Sequence, residues 1–169
     1  MKVVTSCLLL LALEAQMKLT SPSFEDHQPI PKQHTGEGAD ASPALKWEGA
    51  PSSTKSFALI CDDPDAPGRT WVHWVIYNIP AGTTELPEGV AKSDTVAGGA
   101  RQGVNDFGKV GYNGPMPPRG HGKHRYFFKL YALKSMLELP ARATKAQLEA
   151  AMKGQILAQA ELVGTYERR

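Results

Sequence analysis

Apolar residues concentrate in three runs along the chain, and each run carries the spacing of a β-strand. Ser56-Phe-Ala-Leu-Ile-Cys61 is apolar at every position after its serine and is bounded by polar residues, which predicts a buried strand. Trp71-Val-His-Trp-Val-Ile-Tyr-Asn-Ile79 reads likewise, because aromatic and β-branched residues favour strand over helix, and Pro80 closes it. In Arg125-Tyr-Phe-Phe-Lys-Leu-Tyr-Ala-Leu133 strand alternation puts Tyr126, Phe128 and Leu130 on one face and Phe127, Lys129 and Tyr131 on the other. Residues 20–56 are dense in Pro, Gly, Ser and charge around small apolar islands, which suggests short strands joined by ordered loops. Three central strands separated by long irregular segments predict a sheet or sandwich with functional loops at one end. One helix is predicted near the C-terminus. Thr144-Lys-Ala-Gln147 has capping-box spacing, Leu148, Met152, Ile156, Ala160 and Val163 form a stripe at helical spacing, and Gly164 ends it.

Composition agrees with a mainly β domain. The chain has 169 residues, the size of one ordinary domain, and its 16 glycines and 13 prolines lack a collagen-like period and point to many turns. With 41% hydrophobic and 21% charged residues, disorder is excluded. A net charge of +2 is too small for a protein that grips nucleic acid by counter-ion release, so no nucleic-acid partner is expected. Two cysteines, Cys7 and Cys61, exclude a disulfide framework and a four-cysteine zinc site, and Cys61, following a buried run, is expected to be inert. The charge is uneven: residues 1–100 hold 7 basic and 12 acidic side chains, residues 101–134 hold 7 and 1. Either the two parts pack and cancel, or the basic middle lines an anion site.

The domain is expected to span 17–169. Residues 1–16 read as an upstream extension of a cytosolic domain that starts at Met17. The alternative is a weak export signal, which would make the protein periplasmic or secreted. The apolar run from Cys7 to Leu13 is too short to span a bilayer, so no transmembrane segment is expected.

Chemistry-bearing residues gather at the strand ends. Asp62-Asp-Pro-Asp-Ala-Pro-Gly68 sends carboxylates off a strand on a turn stiffened by Pro64 and Pro67. As a calcium loop starting at Asp63 it fails, because Pro67 and Trp74 would fall where ligands are required. His73 interrupts an apolar strand, as a satisfied core histidine or as a functional one. Gly120-His-Gly-Lys-His124-Arg-Tyr126 runs a glycine-rich loop into the third strand. Its backbone N–H groups and basic side chains suit an oxyanion, whereas His121 and His124 with Asp63 or His73 make too scattered a set for zinc, and no metal or cofactor is expected. Tyr112-Asn-Gly-Pro-Met-Pro-Pro118 is a proline-braced loop that cannot form a regular strand. Phosphate-binding loops of the Walker and dinucleotide types, the hydrolase elbow and the zinc-protease motif are all missing.

Two blocks carry a resemblance to a known family. Ala58-Leu-Ile-Cys-Asp-Asp-Pro-Asp-Ala-Pro67 with Trp71 to Pro80, and Gly111-Tyr-Asn-Gly-Pro-Met-Pro-Pro-Arg-Gly120 with His124 to Leu133, resemble the phosphatidylethanolamine-binding protein family, also called Raf kinase inhibitor-like, in its short bacterial and archaeal branch. The resemblance implies an antiparallel β-sandwich with a C-terminal helix and a pocket at one end of the sheet. It places Asp63, His73 and His124 in that pocket, with Pro67, Trp71, Gly114, Pro118 and Tyr126 near or lining it. The implied ligand is a small anionic or phosphorylated group, such as a phospholipid head, held by a non-enzymatic binding or regulatory module. The implied protein partner is a kinase or protease to be inhibited, with a homodimer as a further contact. The alternative is a hydrolase of small phosphoesters using the Asp and His residues. Two protonated histidines would make anion affinity fall as pH rises through about 6.5, if both keep ordinary pKa values.

Overall fold

The three apolar runs are neighbouring strands of one antiparallel sheet. The computed structural model describes residues 16–169. In chain order the strands are β1 (Lys18–Thr20), β2 (Leu45–Glu48), β3 (Ser56–Asp63), β4 (Trp71–Pro80), β5 (Glu85–Leu86), β6 (Arg101–Gln102) and β7 (His124–Leu133), followed by helix α1 (Lys145–Met152) and β8 (Ile156–Tyr166). They make a five-stranded sheet ordered β6-β4-β3-β7-β8 and a three-stranded sheet ordered β1-β2-β5, with antiparallel pairing in both. The fold is therefore mainly β, two antiparallel sheets with one helix near the C-terminus, as the sequence suggested. No described helix is long and apolar enough to cross a membrane. The reading of residues 1–16 falls, apart from Gln16, outside the described residues; Met17 and Leu19 pack in the core.

Strand β3 lies in the middle of the larger sheet and is buried at all eight positions. Phe57, Leu59 and Cys61 face the smaller sheet, where they join Leu19, Leu45 and Trp47 in one cluster. Ala58 and Ile60 face the other way, into a cluster with Leu137 and with Leu148 and Met152 of α1. Burial on both faces is what removes the polar alternation from this strand. Strand β7 keeps its alternation, with Tyr126, Phe128 and Leu130 buried and Phe127, Lys129 and Tyr131 half-exposed.

The C-terminal prediction needs a correction. The capping box forms as expected, with the Thr144 hydroxyl accepting from the Gln147 N–H and the Gln147 side chain accepting from the Thr144 N–H. The helix then stops at Met152, whereas the apolar stripe suggested that it continued to Val163. Gly154 adopts φ +74°, a left-handed conformation that ends helices readily, and reverses the chain into β8. Ile156, Ala160 and Val163 therefore belong to a strand paired with β7 along its whole length. Gly164 has a different role from the one expected, since it ends no helix. A Cβ there would lie 2.4 Å from Cγ1 of Ile30 and 2.9 Å from Cε2 of Phe24, so the glycine lets residues 24–30 pack onto β8.

Gly164→Ala should lower stability by about 1–3 kcal/mol through overpacking, read from the denaturant midpoint. An unchanged midpoint would show that the 24–30 segment yields freely. Cys61 is fully buried, and burial pushes its thiol pKa well above the ordinary value. It should label with a thiol reagent only at the rate of unfolding, and rapid labelling of the native protein would contradict this packing.

Candidate functional site

The ends of β3 and β4 and the start of β7 converge on a cavity of about 300 Å³. Asp63 ends β3 and His124 opens β7; both are buried. His73 comes from β4 by a local irregularity. Cys61 pairs with Trp74 and Asp62 pairs with Val72, so His73 is the extra residue of a β-bulge. Such bulges re-aim a side chain, here into the cavity wall. Trp71 and Tyr126 complete the floor, and Ala66, Pro67, Phe107, Met116, Pro117 and Pro118 supply the apolar walls. Every site residue expected from the sequence thus lines the cavity except Gly114. That glycine lies behind the wall: a Cβ there would come within 2.1 Å of the His34 carbonyl oxygen, so it permits a close approach of two loops. A larger groove of about 760 Å³ between β1 and β8 contains none of these residues.

The two histidines are held by different partners. His73 Nδ1 lies 2.6 Å from the Asn113 carbonyl, which can only accept, so Nδ1 carries the proton. Nε2 has no hydrogen-bond partner among the described residues. Burial lowers the His73 pKa, and this outweighs the opposing effects of the Asn113 carbonyl and the charge of Asp63. The expectation of two protonated histidines therefore does not hold for His73, which is a neutral acceptor at neutral pH. His124 Nδ1 instead lies 2.7 Å from Oδ2 of Asp63, and its Nε2 lies 2.7 Å from Nδ1 of His121. The other oxygen of Asp63 accepts the Asp65 N–H at 2.8 Å. Asp65 in turn takes a two-pronged grip from Arg125, with Nε and Nη2 each at 2.8 Å, and this contact holds the carboxyl pKa of Asp65 down. The Asp62-to-Gly68 turn is thereby tied to the start of β7.

Two donors of cavity-lining residues lack an ordinary hydrogen bond. Trp71 Nε1 and the Tyr126 hydroxyl lie behind the lining, closed off from solvent, and make no hydrogen bond of ordinary length, although the Tyr126 hydroxyl stands close enough to the Asp63 carboxylate to feel it. Burial, reinforced by the charge of Asp63, raises the Tyr126 pKa strongly, so the phenol keeps its proton. The Trp71 ring is fixed edge-on to Phe107 and lies under the Arg69 guanidinium.

Sequence reasoning missed the residue that sets the loop wall. Asp40 accepts the Gly114 N–H at 2.6 Å on one oxygen, and the Asn113 side-chain amide at 2.7 Å and Lys92 Nζ at 2.6 Å on the other. It thus fixes the peptide whose carbonyl orients His73. Asn105 supports the same loop by donating to the Gly111 carbonyl and to Oδ1 of Asn113. Asp40 stands 52 residues before Lys92 and more than seventy before Asn113 and Gly114, in a Gly- and Ala-rich segment, and no local spacing marks it.

Two antiparallel sheets with a cavity at one end of the larger sheet define the class of the fold, a small mainly β domain. The chain belongs to the phosphatidylethanolamine-binding protein family, whose model matches residues 20–167. It is 53% identical over 155 residues to the UPF0098 protein of Aquifex aeolicus, covering 91% of this chain and 90% of that one. Among solved structures it is similar to E. coli YbcL, with a TM-score of 0.86 and 37% identity over 92% of this chain and 100% of that one. The phosphatidylethanolamine-binding protein homologue CT736 of Chlamydia trachomatis gives a TM-score of 0.83 and 41% identity over 91% and 99%.

The His73 geometry makes a direct prediction. Its folded-state pKa lies below the ordinary 6.5, so between those two values the unfolded chain binds more protons. His73 therefore costs stability as pH falls below about 6.5 and costs nothing above it. Nitrogen-15 NMR should show an Nδ1-protonated neutral ring that stays neutral as the pH passes below 6.5. Protonation at or above 6.5 would contradict the assignment.

Proposed function

We propose that the cavity binds a small oxyanion of the phosphate class, free or as the head of a phosphomonoester, and that the protein is a binding and regulatory module rather than an enzyme. The observation that carries this reading is the convergence of Asp63, His73, His124, Trp71 and Tyr126 on one open cavity, where the Trp71 Nε1 and Tyr126 hydroxyl lie just behind the lining without a hydrogen bond of ordinary length and a small movement of each ring would bring its donor to a ligand. An unpaired buried donor costs about 1–3 kcal/mol, and an oxygen-rich ligand would remove that cost at both positions. The neutral His73 offers an acceptor, which suits the P–OH of a monoprotonated phosphate. The apolar walls leave room for a short organic substituent on the phosphate. The pocket is open at its rim, where Phe107 and Met116 expose apolar surface; a kinase or protease regulated by this protein would meet it there.

Titration with inorganic phosphate by calorimetry or NMR tests the reading. Tyr126→Phe and Trp71→Phe each remove one donor and should weaken binding about 5- to 10-fold, the equivalent of one hydrogen bond. Sulfate carries no proton at pH 6 and cannot donate to His73, so it should bind at least 10-fold more weakly than phosphate. Phosphate binding unaffected by both substitutions, or equal affinity for sulfate, would remove the basis of the proposal.

A further inference from the structure

The pocket leaves one histidine without a role. His121 is exposed, sits outside the cavity lining, and yet its Nδ1 is 2.7 Å from the buried His124. Gly120 and Gly122 flank it, both with positive φ, and neither has an atom within 4 Å of the position a Cβ would take. His121 thus stands on an open two-glycine loop with one ring edge anchored inward.

We propose that His121 is a phosphoryl-acceptor histidine, taking a phosphoryl group on Nε2 from a small acyl phosphate or phosphoramidate. The argument begins with tautomers. The Asp63 carboxylate is an acceptor, so His124 carries its proton on Nδ1 and, when neutral, presents a lone pair at Nε2. That lone pair can only accept, so His121 donates through Nδ1. Nε2 of His121 is then the unprotonated nitrogen and the one left to solvent. A chain that starts at a buried carboxylate thereby ends in an exposed imidazole whose nucleophilic nitrogen is fixed. This is the logic of an activated nucleophile: a side chain in hydrogen-bond reach of a base that is itself oriented by a third group.

The step balances. The Nε2 lone pair forms the N–P bond while the bond from phosphorus to the leaving oxygen or nitrogen of the donor breaks, its electrons departing with the leaving group. The positive charge that develops on the His121 ring is relieved as the Nδ1 proton passes to Nε2 of His124. The Asp63 carboxylate, unable to reach water, stabilises the resulting imidazolium. The other exposed histidine provides a comparison within the same molecule. His27 faces only the exposed Asp26 at 3.7 Å and has no buried base behind it.

The test uses the full chain and either potassium phosphoramidate or acetyl phosphate. Phosphorus-31 NMR in alkaline buffer and peptide mass spectrometry should find base-stable, acid-labile phosphate on His121, formed at least 10-fold faster than on His27. Equal rates at the two positions, or label on His27 with none on His121, would overturn the proposal without any variant being needed. His121→Ala should abolish the fast label, and Asp63→Asn should slow it at least 10-fold.

Discussion

The structure depends on a strand that is buried on both faces and ends in two adjacent carboxylates. Because alternate residues of a strand point to opposite faces, Asp62 and Asp63 leave β3 on different sides of the sheet, and each must be neutralised separately. Asp62 turns toward α1, where Lys129 reaches it at 2.9 Å and Lys145 of the helix at 2.6 Å. That contact clamps the helix to the sheet and explains a half-buried lysine in β7. Asp63 turns toward the sheet end and meets His124 on the neighbouring strand. One strand thus supplies a structural ion pair on one face and the buried charge of the site on the other.

The second constraint is the loop wall. A proline-braced segment without ladder hydrogen bonds still has to satisfy its backbone, and Asp40 and Asn105 do this from outside the loop. Their effect on the pocket is indirect but specific, since they fix the Asn113 carbonyl that sets the His73 tautomer. The bulge in β4 and this carbonyl together hold the imidazole from two sides. Trp71 and Tyr126 are fixed by packing alone, Trp71 against Phe107 and Tyr126 edge-on to His73. Their polar atoms are thereby left behind the cavity lining without a hydrogen bond of ordinary length.

How much of this was legible in the sequence follows from the range of the interaction concerned. The central strands were legible because burial acts residue by residue: a two-faced strand loses all polar positions and a one-faced strand keeps half. The strand at Ile156–Tyr166 was misread as helix because its apolar residues recur every four positions, a spacing that fits a helical stripe and equally every second outward pair of a strand. Pairing with β7, not local propensity, decides between them, and Gly154, which within a helix would suggest close packing, instead marks the chain reversal. Clusters of proline, glycine, histidine and acid at strand ends marked candidate loops, and it was the family resemblance that joined them into one pocket. Asp40 was not legible, since its function arises from contacts with residues far along the chain. The lowered pKa of His73 was equally hidden, because it reflects how completely the fold buries the ring rather than which residues flank it.

The two histidines show how a backbone carbonyl and a carboxylate set different chemistry on the same side chain. A carbonyl fixes the tautomer but adds no charge, so His73 stays neutral in a dry wall and can offer only a lone pair. A carboxylate fixes the tautomer through a charged acceptor, so the Nδ1–H of His124 is held by Asp63 and its Nε2 is turned toward His121. Under the proposed reading, this asymmetry orients the bound anion. Its protonated oxygen faces His73, where a charged oxygen would be repelled by the lone pair. Its ionised oxygens face the Trp71 and Tyr126 donors, where a hydroxyl would leave at least one donor unmatched. A ligand such as sulfate, with four equivalent unprotonated oxygens, satisfies one side of this arrangement at the expense of the other, and the expected discrimination between phosphate and sulfate arises from that mismatch rather than from size.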